Sequence, residues 1–143
     1  MISSKRKEYL RNRTVITAII SEIGEPIEGI NGITALIFLG QKEGLPLNYE
    51  FDVMEDGTVI SDEVFDDLMD LVEQGILQEV FEARKEIHIP IFSSYISGRE
   101  AIEYLESTLG KEHVNPLKLF ASKYKAKRTA AKLSEFVKKT ESD

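Results

Sequence analysis

The chain has no cysteine and only two histidines among its 143 residues. Without cysteine there is no disulfide, no thiolate zinc site and no cysteine nucleophile, a composition that suits a reducing compartment. His88 and His113 are not spaced as metal ligands or as a catalytic pair, so both read as incidental. No run approaches the roughly 18 apolar residues that a membrane span needs. The opening MISSKRKEYLRNR carries the charge of a secretory signal's first part. The apolar stretch behind it is broken by Ser21, Glu22 and Glu25 and lacks a small-residue cleavage site, so a cytoplasmic protein with no membrane partner is expected. Phosphate-binding loops, dinucleotide fingerprints and Gly-x-Ser-x-Gly are missing too. Ser93 and Ser94 read as loop residues, and no catalytic residue, metal or cofactor is expected.

What the chain does have is charge, and the charge is segregated. With 42% hydrophobic and 30% charged residues, the length suits one ordinary domain with a real core. The formal net charge is -7. Residues 1–13 carry five basic side chains and one acid, residues 14–110 four basic and twenty acidic, residues 111–143 nine basic and four acidic. Basic ends therefore flank an acidic middle. Such asymmetry bears on partners, because a field of one sign gathers ligands of the other. The plainer alternative has equal weight: the basic ends fold back on the acidic middle, within the chain or in a dimer.

Apolar residues at three- and four-residue steps from Lys5 to Ile23 predict a helix with one buried stripe, ended by Gly24 and Pro26. A turn-like Ile27–Gly32 leads to a second helix over Ile33–Glu43, stopped by Gly44 and Pro46. Leu47, Tyr49, Phe51 and Val53 alternate with polar residues and predict a strand with one face buried. Phe51 is expected in the core. After a turn at Glu55, Asp56 and Gly57, Ser61 is a natural N-cap for a helix reaching Gly75, with Asp62 and Glu63 at the positive end of its dipole and Phe65, Leu68 and Val72 on its buried side. Strands at Ile76–Glu82 and Ile87–Ile91 then form a hairpin with Ala83, Arg84, Lys85 and Glu86 at its tip. Ser97 with Glu100 is a capping box for a helix closed by Gly110, and Asn115 with Pro116 opens a last helix. On that last helix Leu117, Phe120, Tyr124, Ala131 and Val137 can share one face. The expected domains are residues 1–110 and a basic helical extension over 111–143.

Two acidic constellations need weighing. Asp62, Asp66 and Asp70 share one helix face and could hold a hard cation, but a solvated acidic face or a surface for a basic partner explains them better. Asp52 to Glu63 imitates a calcium-binding loop until its third position, where Met54 offers no oxygen. A strand, a turn at Asp56 and Gly57 and a capped helix account for the same letters.

The order of these elements is that of an α+β winged helix, a helix-turn-helix with a hairpin wing, bearing extra N- and C-terminal helices. The stretch with Gly44, Pro46, Leu47, Tyr49 and Phe51, then Ser61, Leu68, Leu71, Gly75, Ile76 and Leu77, resembles the YwgA-like winged-helix proteins. The resemblance covers about a third of the chain. It implies a DNA-binding-like fold without enzymatic activity. Family members usually carry a Gly-Pro-Tyr-Ser type turn before the helix, where this chain has Gly57, Thr58, Val59, Ile60 and Ser61.

Phosphate neutralisation comes before base reading in DNA binding, and the helix from Asp62 to Gln74 would repel the backbone. Basic residues outside it could serve: Arg84 and Lys85 at the wing, Lys5, Arg6, Lys7, Arg11 and Arg13 at the start, and Lys123, Lys125, Lys127, Arg128 and Lys132 in the extension. The leading expectation is a nucleic-acid-associated protein of transcription regulation, homodimeric through Phe120 and Tyr124. The alternative is a protein adaptor that docks through the acidic helix 62–74. A contiguous basic face would favour the first, and basic ends turned onto the acidic middle the second.

Overall fold

Two helices, mostly buried along the side chains described, organise the chain. The computed structural model describes residues 4–84 and 87–142, with side chains for residues 11–83 and 89–141. Helix α1 (Ser4–Ile23) and helix α2 (Ile30–Lys42) have Val15, Ile16, Ala18, Ile19, Ile20 and Ile23, and every residue from Gly32 to Gly40, inaccessible to solvent or nearly so. The single stripe predicted for α1 is thus too narrow. Helices α4 (Gly98–Leu109) and α5 (Val114–Tyr124) both pack on α1, where Asn12, Arg13, Thr14 and Ser21 are buried along with its apolar residues. Helix α6 (Ala130–Ser142) covers α2 in the same way. No helix among the described residues is long and apolar enough to cross a membrane.

The fold is α+β, mostly helical, with a small antiparallel sheet in the order β1-β5-β4. Strand β1 (Ile27–Glu28) pairs with β5 (Ile87–Ser94), which pairs along its length with β4 (Leu77–Arg84). Ile27, Leu77 and Phe92 point inward from the three strands and are buried. Both hairpin strands run further than predicted, so Ala83 and Arg84 belong to the ladder, opposite His88 and Ile87, rather than to the tip. Lys85 and Glu86 lie outside the described residues. The central strand β5 contains Pro90, whose carbonyl accepts from the Gly29 amide at 2.7 Å. In an antiparallel strand the nitrogen and carbonyl of one residue face the same side, so the proline nitrogen faces the place where β1 has ended. No ladder bond is lost there.

Between α2 and α3 (Asp62–Glu73) the predicted strand is realised only in part. Leu47 and Tyr49 are buried while Asn48, Glu50 and Asp52 are exposed, as alternation requires, but only β2 (Asp52–Val53) pairs, with β3 (Val59–Ile60). Tyr49 instead finds its partner in a side chain. The Gln41 amide donates to the Tyr49 carbonyl at 3.0 Å and accepts from the Tyr49 amide at 2.8 Å, the two bonds a neighbouring strand would make. Phe51, expected in the core, is half-buried and packs edge-on against Phe38. Asp56 accepts from the Thr58 amide in the turn, which holds its carboxyl below the usual carboxylate range. Gly57 has φ of +87°, and a β-carbon there would meet the Ser134 carbonyl of α6. Ser61 caps α3 as predicted, accepting from the Val64 amide at 3.3 Å. Ser97 caps α4 likewise.

The single C-terminal helix predicted from Asn115 is broken at residues 125–129. Arg128 makes the break: its Nε donates to the Lys125 carbonyl at 2.8 Å and its Nη1 to the Pro26 carbonyl at 2.7 Å, while its own carbonyl accepts from Glu28 at 3.0 Å. Leu117, Phe120 and Tyr124 then enter the core from α5, and Leu133 and Val137 from α6. Ala131, expected on the inner face, is exposed. Phe120 and Tyr124 are 3% and 2% exposed within the single chain, so neither is left for a dimer interface. The Tyr124 hydroxyl donates to Glu43, and burial together with that bond pushes the phenol's pKa up.

Leu68 is fully buried, and we expect Leu68→Ala to cost about 2 to 5 kcal/mol in urea denaturation. For Gln41→Ala, which strands both backbone groups of Tyr49, the expected loss is about 1 to 3 kcal/mol. It should come with faster hydrogen exchange at the Tyr49 amide, and exchange at the wild-type rate would contradict the bridge.

Candidate functional site

Helix α3 turns one acidic row inward and leaves the other in solvent. Its apolar positions Val64, Leu68 and Leu71 face the core, and Asp67 is carried inward beside them. An isolated carboxylate there would be costly, so the fold supplies partners. Arg13 of α1, itself buried, reaches Asp67 with its Nε at 3.3 Å and its Nη2 at 3.2 Å, and the same Nη2 bonds Asp70. The Tyr49 hydroxyl donates to the other oxygen of Asp67. Burial raises the pKa of Asp67, opposed by the bond from Tyr49 and the charge of Arg13. Burial also raises that of the Tyr49 phenol, and its bond to Asp67 adds to this.

The outer row is Asp62, Glu63, Asp66 and Glu73, all exposed, and Phe65, expected on the buried side, stands among them at 44% exposure because the inward face is that of Val64, Asp67, Leu68 and Leu71. The N-terminal half of this row borders a groove of about 600 Å³ against the β2–β3 hairpin. Phe51 and Ile60 give it apolar surface, and Glu50, Asp52, Asp62 and Glu63 give it negative charge. Asp62, Asp66 and Asp70 do not act as a set, because Asp70 is drawn to Arg13 while the other two stay in solvent. Among the described residues no three carboxylate or imidazole side chains converge as a metal site would require.

The basic residues singled out from the sequence are not brought onto one face by these contacts. Lys123 pairs with Glu43 at 3.2 Å, Lys127 is half-buried over the Phe136 ring at 4.9 Å, and Arg128 is spent on backbone carbonyls. Lys125 and Lys132 are exposed. Arg84 closes β4, and its side chain, like the whole of Lys85, lies outside what the structure describes. The same holds for the side chains of Lys5, Arg6 and Lys7. Arg13, counted among possible phosphate contacts, is instead buried against α3. Sequence reasoning missed its role. No local signal marks it: Arg13 follows Lys5, Arg6, Lys7 and Arg11 and is flanked by Asn12 and Thr14, so it reads as one more surface cation, although such a charge can be buried when paired.

We expect Arg13→Met to lose about 3 to 5 kcal/mol at neutral pH, because a buried carboxylate is left without its cation. A carboxyl whose folded pKa is raised contributes stability below its unfolded pKa, about 3.9, and loses it as pH rises through the folded value. Removing Arg13 takes away a charge that holds the Asp67 pKa down. The deficit of the variant should therefore shrink toward about pH 4.5 and widen toward about pH 7.5. Urea denaturation at both pH values checks this, and an equal deficit at each would contradict it.

Compared with protein-family models, curated proteins and solved structures, the chain matches none.

Proposed function

We propose that the protein is a non-enzymatic winged-helix adaptor whose acidic α3 face and adjoining groove receive a basic, partly apolar segment of a partner protein. The fold part of this reading is supported by the order α1-β1-α2-α3-β4-β5 with a sheet of order β1-β5-β4. In it α2 and α3 stand as the helix-turn-helix pair, β4 and β5 as the wing, and the β2–β3 hairpin as an insertion between the two helices. The likeness to YwgA-like proteins belongs to the same reading.

The observation that carries the functional part is the acid-rimmed groove with Phe51 and Ile60 inside it and Phe65 exposed on the helix alongside. Carboxylates around apolar surface favour a partner with cationic side chains flanking an aliphatic anchor, by complementary charge and by desolvation of the anchor. A nucleic acid would meet repulsion there. The basic ends fit this reading as well, since Arg13 and Lys123 are turned onto acids of the middle segment.

A nucleic-acid-associated regulator is the second reading. One observation favours it: the loop with exposed Lys125 is tied to Pro26 and Glu28, beside the start of α2, where a helix N-terminus attracts phosphate. Homodimerisation, through a surface other than Phe120 and Tyr124, remains part of that reading.

Anisotropy titrations against a labelled basic amphipathic peptide and a labelled DNA duplex, each at several salt concentrations, separate the two. For the adaptor, the peptide should bind, and Glu63→Gln with Asp66→Asn should weaken it about tenfold and flatten its salt dependence. For the regulator, duplex binding should weaken on Lys125→Ala with Lys132→Ala and strengthen on loss of the α3 acids. Peptide binding indifferent to the α3 acids would overturn the adaptor.

A further inference from the structure

A second cavity lies where α1, the end of α3 and the start of α4 meet. Its volume is about 460 Å³, within the usual range for a small-molecule site. Thr14, Leu71 and Ala101 are buried at its floor, and Ile76 and Ile96 are half-buried at its sides. Tyr104 stands at its mouth at 57% exposure, one helical turn from the exposed Glu100 and on the same face of α4. The space is thus apolar within and polar only at a few points.

Those points decide the sign of the ligand's charge. The cation in the lining, Arg13, already faces two carboxylates, Asp67 and Asp70. Glu100 adds a third negative charge at the mouth, where it also answers the positive end of the α4 dipole. Gln74, the C-cap of α3, brings the negative end of that helix dipole to the same lining. An anion would find no unspent cationic side chain in this lining, and the positive end of α4 is already met by Glu100 in its first turn. A positive group between the Glu100 carboxylate and the Tyr104 ring would meet both an opposite charge and the negative face of an aromatic system.

We propose that this cavity binds a lipophilic organic cation, with its aromatic or branched aliphatic body on the apolar floor and its positive centre at the mouth against Glu100 and Tyr104. Because Leu71 of α3 lines the floor and Arg13 holds α3 from beside it, occupancy stabilises the seat of that helix. The proposal stands apart from the docking role of the outer α3 face, with which it shares no residue.

The test uses two probes of the same shape and opposite charge, tetraphenylphosphonium and tetraphenylborate, titrated calorimetrically into the full chain. The phosphonium should bind at least about tenfold more tightly than the borate and raise the thermal midpoint in proportion to its free concentration. Glu100→Gln and Tyr104→Ala, both at exposed positions that leave the core intact, should each weaken the phosphonium about fivefold. Glu100→Gln alone should also narrow the gap between the two probes. Borate binding as well as phosphonium would overturn the proposal, as would phosphonium binding unmoved by both substitutions, or its absence at millimolar concentration. None of these results bears on peptide binding at the α3 acids.

Discussion

Everything around α3 depends on one buried ion pair, Arg13 with Asp67, completed by the Tyr49 hydroxyl. Apolar packing holds Leu68 and Leu71 inward, but it does not choose between neighbouring rotational settings of the helix. A charge pair does. With Arg13 below and Tyr49 beside it, Asp67 has its lone pairs satisfied in one orientation of α3, and that orientation sends Asp62, Glu63 and Asp66 outward. The net stabilisation from such a pair is small, because the cost of removing both charges from water offsets most of the attraction, so its contribution is to register. The same pair fixes the loop from Leu45 to Phe51, since Tyr49 is held at its ring by Asp67 and at its backbone by Gln41.

Local signals in the sequence located the elements well and their surroundings poorly. The caps at Ser61 and Ser97 and the turn at Asp56 and Gly57 involve residues within a few positions of one another, and all three are where spacing puts them. What spacing does not carry is contact across long separations. The breadth of burial on α1 comes from α4 and α5, more than seventy positions away, and so a stripe was expected where residues 12–23 are mostly buried. The break at residues 125–129 comes from Arg128 reaching Pro26, a bond between residues 102 positions apart. Lys127 and Arg128 read as surface charge because nothing local marks a cation that will lie over a ring or bind a carbonyl.

The functional site divides along the same line. That α3 would be acidic was legible residue by residue, and so was the difficulty this makes for a groove-binding helix. The groove beside it was not, because Phe51 and Ile60 come to it from a hairpin that the alternation of Leu47 to Val53 suggested was a longer strand. The cavity at α1 and α4 was equally hidden, its lining drawn from residues 13 to 104 of the chain.

Pairing between the Glu28 amide and the Arg128 carbonyl has a bearing on solubility as well as on shape. Strand β1 is the outer strand on its side of the sheet, and its free edge would offer unpaired amides and carbonyls to any extended chain nearby. The 125–129 loop occupies that edge, and it brings Lys125, Lys127 and Arg128 with it, so a strand approaching from another molecule meets a taken hydrogen-bond site and a cluster of like charge. Displacing that loop from β1 would turn a protected margin into a template for aggregation.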